Sequence, residues 1–148
     1  MLGGCNCGQI RYQVTKPPLA AYICHCHLCQ KRSGSAFSMS LVLPANGLMV
    51  QEGAPQSALR HLATGGINTS WTCEACHSRL YTQTFGARTL NLRAGTLDDT
   101  RDLRPVAQFW TSSAQRWAIA PDILTYTEQP DDFGPILRAW AMSAPTIN

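Results

Sequence analysis

Within six residues, Cys24-His25-Cys26-His27-Leu28-Cys29 gathers three thiols and two imidazoles. Thiolates this close repel one another unless a cation sits among them, and a borderline-soft divalent ion, zinc above all, is the usual answer. Three protein ligands with an open fourth position is also the pattern that lets zinc do chemistry as well as hold a fold. What matters first about the rest of the chain is whether it brings a fourth ligand here or leaves that position free.

The other cysteines form two groups, Cys5-x-Cys7 and Cys73-x-x-Cys76, making seven in all. Disulfides account poorly for an odd count, and partners so close in sequence rarely meet bridge geometry without strain. Two thiols on each of two tight turns make a four-thiolate tetrahedron, and the first and last groups supply that number. Such a site closes a loop of nearly half the chain. A structural zinc of this kind brings about 10–16 kcal/mol of apparent binding free energy, comparable to the whole stability of a domain.

Three readings fit the middle trio. His25, His27 or His77 can complete a closed structural site; the fourth position can be left to water or an incoming thiol; or the cysteines can be metal-free and act in redox or disulfide exchange with lowered pKa. His27 lies inside the Cys26-to-Cys29 loop, where its ring has difficulty turning back onto the same ion. His25 sits between two ligands and is expected to point away or to donate a hydrogen bond that orients a ligand. On those grounds the open site is preferred, with the others standing beside it.

At 148 residues the chain is expected to be one domain, 1–148, large enough to bury about 70% of its unfolded surface. Charged residues make up 14%, well below the usual quarter, which fits self-association, a large irregular core, or a surface rich in Thr, Ser and Gln. The net charge of +3 is small and Lys31-Arg32 is the only adjacent basic pair, so no stripe tracks a nucleic-acid backbone. The longest apolar run, around Leu19 to Ile23, falls far short of the ~20 residues of a spanning helix. Leu2-Gly3-Gly4-Cys5 imitates a lipoprotein cleavage box, but only Met1 precedes it, and the expected location is a reducing cytoplasm.

Period-two alternation of Ile10, Tyr12 and Val14 predicts a strand over Gln9 to Thr15. Further strands are expected at Leu19–Ile23, Ala36–Leu43, Leu48–Gln51, Ala58–Ala63 and Ile67–Thr72. Arg79–Phe85, Thr89–Arg93 and Val106–Thr111 follow, with Gly, Pro and Asn punctuation between them. Thr64-Gly65-Gly66 reads as a hairpin connection. Pro121–Tyr126 is loosely extended, and only Pro135 to Met142 reads as helix, with Ile136, Leu137 and Trp140 at helical spacing. The fold class is mainly β with a short C-terminal helix.

The motifs also resemble those of a known family. Gly3-Gly4-Cys5-Asn6-Cys7-Gly8-Gln9-Ile10-Arg11-Tyr12 resembles the opening of the glutathione-dependent formaldehyde-activating enzymes, a family that also includes CENP-V-type proteins. Cys24 through Gly34 is similar to its second signature, Trp71-Thr72-Cys73-Glu74-Ala75-Cys76 to its third, and Ala94-Gly95-Thr96-Leu97-Asp98-Asp99 to a segment that often follows. Gln108-Phe109-Trp110 and Trp117 to Asp122 fit the tail. The resemblance covers roughly residues 3 to 125, and three cysteine groups in order make it specific.

The resemblance implies a zinc-stapled, β-tent-like fold of several coiled antiparallel sheets. It implies one structural zinc at Cys5, Cys7, Cys73 and Cys76, and a second, exchangeable zinc at Cys24, Cys26 and Cys29, which are then the catalytic residues. The activity implied is a carbon–sulfur lyase acting on a small thiol–aldehyde adduct such as S-hydroxymethylglutathione, with glutathione as cosubstrate. Lys31 and Arg32, directly after Cys29, are the candidates to meet glutathione's carboxylates, and Trp110 and Trp117 to wall a pocket. Partners are then a small thiol and an aldehyde, with no nucleic acid and no membrane, and with a homo-oligomer open. The competing classes are a non-catalytic zinc module used for binding and a thiol-redox sensor. One position departs from the pattern. His77 stands where the family usually has Gly, so it must tolerate a left-handed backbone, alter the turn, or become a ligand or a ligand's partner. Asp98 and Asp99 read as turn residues, and His61 as a strand residue without a chemical role.

Overall fold

Along Arg11–Val14 buried residues alternate with half-buried ones, placing Tyr12 and Val14 against the core. This strand, β2, is the centre of an antiparallel sheet in the order β1 (Leu2–Gly4), β2, β5 (Leu48–Glu52). The computed structural model describes residues 1–61, 66–84 and 86–143. In it the chain divides into two compact units, one of Met1–Pro18 with Val42–Arg101, the other of Leu19–Leu41 with Asp102 onwards.

The first unit adds to that sheet a run of antiparallel strands in the order β9 (Thr89–Arg93), β8 (Arg79–Thr84), β7 (Ile67–Thr72), β6 (Gln56–His61). The expected hairpin pairing of β6 with β7 is present; Ala63, Thr64, Gly65 and Phe85 of the sequence reading lie outside the described residues. Trp71 stands opposite Tyr81, and their rings stack 4.6 Å apart. The unit's core is Ile10, Tyr12, Leu43, Leu80, Leu90 and Leu92. Two polar ties fasten the segment after β9 to β2. The Tyr12 hydroxyl meets Thr96 Oγ1 at 2.7 Å, and the Arg11 guanidinium grips the Asp98 carboxylate with both of its terminal nitrogens. Asp98 is held below the usual carboxylate range by that guanidinium. Asp99 pairs with Arg101 instead, so each aspartate is held by its own arginine.

The second unit holds β3 (Ala20–Cys24), α1 (His27–Ser33), β10 (Ala107–Phe109), β11 (Leu124–Thr125) and α2 (Gly134–Ser143). Strand β4 (Ser38–Pro44) begins in it, and the order is β11, β10, β3, β4. Phe109 is buried, with Tyr22 stacked on it at 4.5 Å and Tyr126 and Phe133 meeting it edge-on. Helix α2 starts where Asp132 Oδ1 accepts from Gly134 N at 2.7 Å, and it buries Ile136 and Trp140, one turn apart.

The fold is mainly β with a short C-terminal helix, as the sequence indicates. Two details differ. Strand β10 runs parallel to both β3 and β11, whereas all sheets were expected to be antiparallel. No hairpin joins β3 to β10, and residues 110–123, with 3-10 turns at Thr111–Ser113 and Arg116–Ala118, are long enough for a crossover. The second difference is α1, which the sequence reading took as cluster followed by turn. Cys26 Sγ accepts from Cys29 N at 3.4 Å as an N-cap, and Gly34 ends the helix in a left-handed conformation. A cysteine cap is not among the residues that announce a helix start. Among the described residues no helix is long and apolar enough to cross a membrane.

Gly53 follows β5 with φ +73°, and a Cβ there would lie 2.3 Å from the carbonyl oxygen of Gln9. Gly53→Ala is therefore expected to lower the unfolding free energy by about 2–4 kcal/mol, combining left-handed strain with overpacking. Gly86→Ala, at φ +74° with nothing within 4 Å of the added carbon, should cost only about 1 kcal/mol for the backbone. Urea unfolding of the two variants checks the contrast; equal losses would count against it.

Candidate metal centres

The first centre is built by two tight turns that share one device. Cys5-Asn6-Cys7 is followed by Gly8 at φ +81°, and Cys73 to Cys76 by His77 at φ +58°, so each turn reverses in the left-handed region just after its last sulfur. His77 thus tolerates the backbone that glycine would adopt more easily, and its side chain is exposed. His77 N closes the second turn on Cys73 O at 2.9 Å, and Asn6 N donates to Ser78 Oγ at 3.1 Å across the pair of turns.

This brings together the four sulfurs of Cys5, Cys7, Cys73 and Cys76, all within 4.8 Å of one another. Cys5 to Cys7 is 3.4 Å and Cys7 to Cys73 is 3.7 Å. Zinc–sulfur bonds of ~2.3 Å in a tetrahedron require sulfurs about 3.8 Å apart. None of the seven cysteines is in a disulfide. The protons are unevenly held. Burial works against the Cys5 thiolate, but the Ile10 N–H at 3.3 Å and the Cys7 and Cys73 thiols hold its pKa below the ordinary thiol value. The Ser78 hydroxyl, 3.2 Å away, followed by the Ser78 backbone, brings Cys76 down to about 5. For Cys7 the Gln9 backbone N–H is the largest influence and lowers the pKa, yet Cys5 and the rest of the cluster push it up to about 12. Without a cation the cluster does not ionise completely, and a divalent ion supplies what its donor set lacks.

The second centre comes from the end of β3 and the start of α1. The sulfurs of Cys24, Cys26 and Cys29 lie within 4.8 Å of one another, and among the described residues no histidine or carboxylate atom joins them. The Cys24 pKa is raised by Cys29 beside it and by burial, and Cys26 is raised chiefly by burial. Such thiols take up negative charge only beside a cation, so this trio also fits a thiophilic metal. Of the histidines weighed as a fourth ligand, His27 and His77 are exposed and neither is grouped with the three sulfurs. His25 is wholly buried, with its Nε2 3.3 Å from Gln108 Oε1. It points away from the trio, as the sequence suggests.

The backbone of His25 is clamped as well. Its N–H donates to Phe109 O at 3.0 Å, and its carbonyl accepts from Gln30 Nε2 at 2.6 Å and Ser113 Oγ at 3.1 Å. Gln30, Gln108 and Ser113 carry no metal-binding signal of their own, and although Gln30 and Gln108 fall in stretches that resemble the family, nothing in the sequence assigns any of the three a role at the site. Lys31 and Arg32 lie in the last turn of α1 and are exposed. Trp117 is 77% exposed, and Trp110 sits at φ +59° with its indole N–H on Gln129 Oε1.

Two thiolate clusters set by tight turns of a mainly β chain define a protein whose cysteines can bind zinc. The family model for the glutathione-dependent formaldehyde-activating enzyme matches residues 1–113, and the chain belongs to this family. No curated protein matches the sequence. The crystal structure of a Rhodobacter sphaeroides protein, a structural-genomics target, aligns over 86% of this chain and 100% of that one. The TM-score is 0.54 at 18% identity, a likeness of fold.

His77→Gly is expected to raise the unfolding free energy by about 0.5–1 kcal/mol, because relief of left-handed strain exceeds the added freedom of the unfolded chain. Bound zinc per chain should be unchanged. A fall in zinc on this substitution would make His77 a ligand and overturn the assignment of four sulfurs.

Proposed function

We propose that this protein is a zinc-dependent carbon–sulfur lyase of the glutathione-dependent formaldehyde-activating type, a single zinc-binding domain over 1–148, working in the cytoplasm. Its substrate is a small thiol–aldehyde adduct such as S-hydroxymethylglutathione. The observation that carries this reading is the sulfur trio of Cys24, Cys26 and Cys29, which gains no fourth protein ligand among the described residues. It lies inside the stretch matched to the family.

In the synthetic direction a thiol sulfur forms a bond to the aldehyde carbon while the carbonyl π pair moves to oxygen. The thiol proton ends on that oxygen, so no redox partner is needed. A zinc ion bound here would hold the thiol as thiolate or polarise the aldehyde oxygen. Cys24, Cys26 and Cys29 would hold that ion, and the clamped backbone of His25 would keep two of these sulfurs in place. Lys31 and Arg32, two and three positions after Cys29 on α1, would offer positive charge to the carboxylates of glutathione. Cys5, Cys7, Cys73 and Cys76 would hold the structural ion.

Two zinc ions per chain are expected, falling to one in Cys26→Ser and towards one when glutathione is added to the wild type. Exchange spectroscopy of glutathione with 13C-formaldehyde should show adduct formation accelerated by the wild type and not by Cys26→Ser. Firm retention of both ions under glutathione, with no acceleration, would sink the catalytic reading and leave a structural zinc module.

A further inference from the structure

Gln108 is a wholly buried polar side chain on β10, and each of its amide atoms has a partner. Its Nε2 donates to Ala120 O at 2.7 Å and to Thr125 Oγ1 at 2.8 Å, while its Oε1 accepts from Ala120 N at 3.0 Å. Thr125 Oγ1 itself donates to Ile123 O at 3.1 Å, so towards Gln108 it accepts. Pairing with both the N–H and the C=O of one residue leaves no choice about which way the amide faces: oxygen towards Ala120 N, nitrogen towards Ala120 O. Gln108 Oε1 is an acceptor only. His25 Nε2, 3.3 Å from it, must therefore carry the proton.

That fixes the other side of the ring. His25 Nδ1 is buried and has no hydrogen-bond partner, so in the neutral ring it is a bare lone pair. The ring is wedged edge-on against Phe37 at 5.6 Å, in a residue whose two chain neighbours are Cys24 and Cys26. The backbone of the same residue is held as well, its N–H donating to Phe109 O and its carbonyl accepting from the Gln30 and Ser113 side chains. Rotation of the ring would break the bond to Gln108 and the edge-on packing against Phe37, in the residue that joins the two cysteines.

We propose that Gln108, acting through His25, is a positioning residue for the sulfur trio: it locks one tautomer and orientation of a buried ring between two ligands, and so sets how firmly the trio keeps its metal. This rests on the metal reading of that site and adds to it a group that touches neither metal nor substrate. Partners of this kind typically change metal affinity by about 10–100-fold when removed.

Two measurements on the full chain test it. Long-range 1H–15N correlation on the wild type should show His25 as the Nε2–H tautomer, and a proton on Nδ1 alone would overturn the inference without any variant. In zinc-loaded protein, chelator competition should resolve two metals. Gln108→Leu should weaken the trio's metal about tenfold or more while the four-sulfur metal is unchanged, which also shows that the variant folds. Because Gln108 acts through the ring, His25→Phe with Gln108→Leu should be no weaker than His25→Phe alone. Two metals held as in the wild type by a folded Gln108→Leu would overturn this inference and leave the metal reading intact. A wild type that never takes a second metal would remove that reading itself, with the tautomer still observable.

Discussion

Four sulfurs that cannot all carry charge without a cation among them set the problem that the first unit solves. Cys7 and Cys73 are 66 residues apart in sequence yet 3.7 Å apart in space. Closing a loop of that length costs on the order of 4 kcal/mol of chain entropy. The ~10–16 kcal/mol available from a structural zinc exceeds it severalfold. Lesser ties then act within an already closed loop: Tyr12 to Thr96, Arg11 to Asp98, and the bridge of Gly3 to Leu97. The Arg11–Asp98 pair is partly exposed and screened, and alone would contribute little.

The trio is held differently. Its three sulfurs lie within six residues of one another, so gathering them closes no long loop, and a metal there would have correspondingly less chain to organise. Shape comes from hydrogen bonds to His25, whose amide is occupied by Phe109 and whose carbonyl by Ser113, 88 positions away, and by Gln30 of α1. A site framed by backbone bonds keeps its form when the ion leaves; a site framed by the ion does not. That asymmetry separates what an ion would do at each site: among four sulfurs it would close a long loop, and among three it would enter a site already shaped.

Cysteine spacing carried both ligand sets into view, because sulfur has few other reasons to cluster in a chain without disulfides. Period-two patterning located most strands, and helical spacing behind Pro135 located α2. Three things stayed hidden for separate reasons. Helix α1 is only seven residues long and is capped by a cysteine already assigned to metal, so its start signal had another explanation. The parallel setting of β10 follows from chain path, on which alternation of side chains is silent. Gln108 reads in sequence as one more polar residue on a strand; only burial with fully satisfied amide atoms marks it out.

The parallel pairing of β10 with β3 explains how such a residue reaches the metal turn at all. In register, Gln108 stands beside Ile23 and Phe109 beside Cys24, so the strand's next carbonyl bond falls on His25. A hairpin partner would run away from the turn after this point, while a parallel strand continues in the same direction. Trp110 to Ser113 therefore follows the chain into Cys24–Cys26, with Trp110 bent through φ +59° so that Ser113 can reach back to the His25 carbonyl. The family match ends at residue 113, the last residue of that clamp, whereas Ala120 and Thr125, which fix the Gln108 amide, lie beyond it. The tail of the chain thus acts on the sulfur trio through one glutamine, and its own short strand, paired with β10, is what keeps that glutamine still.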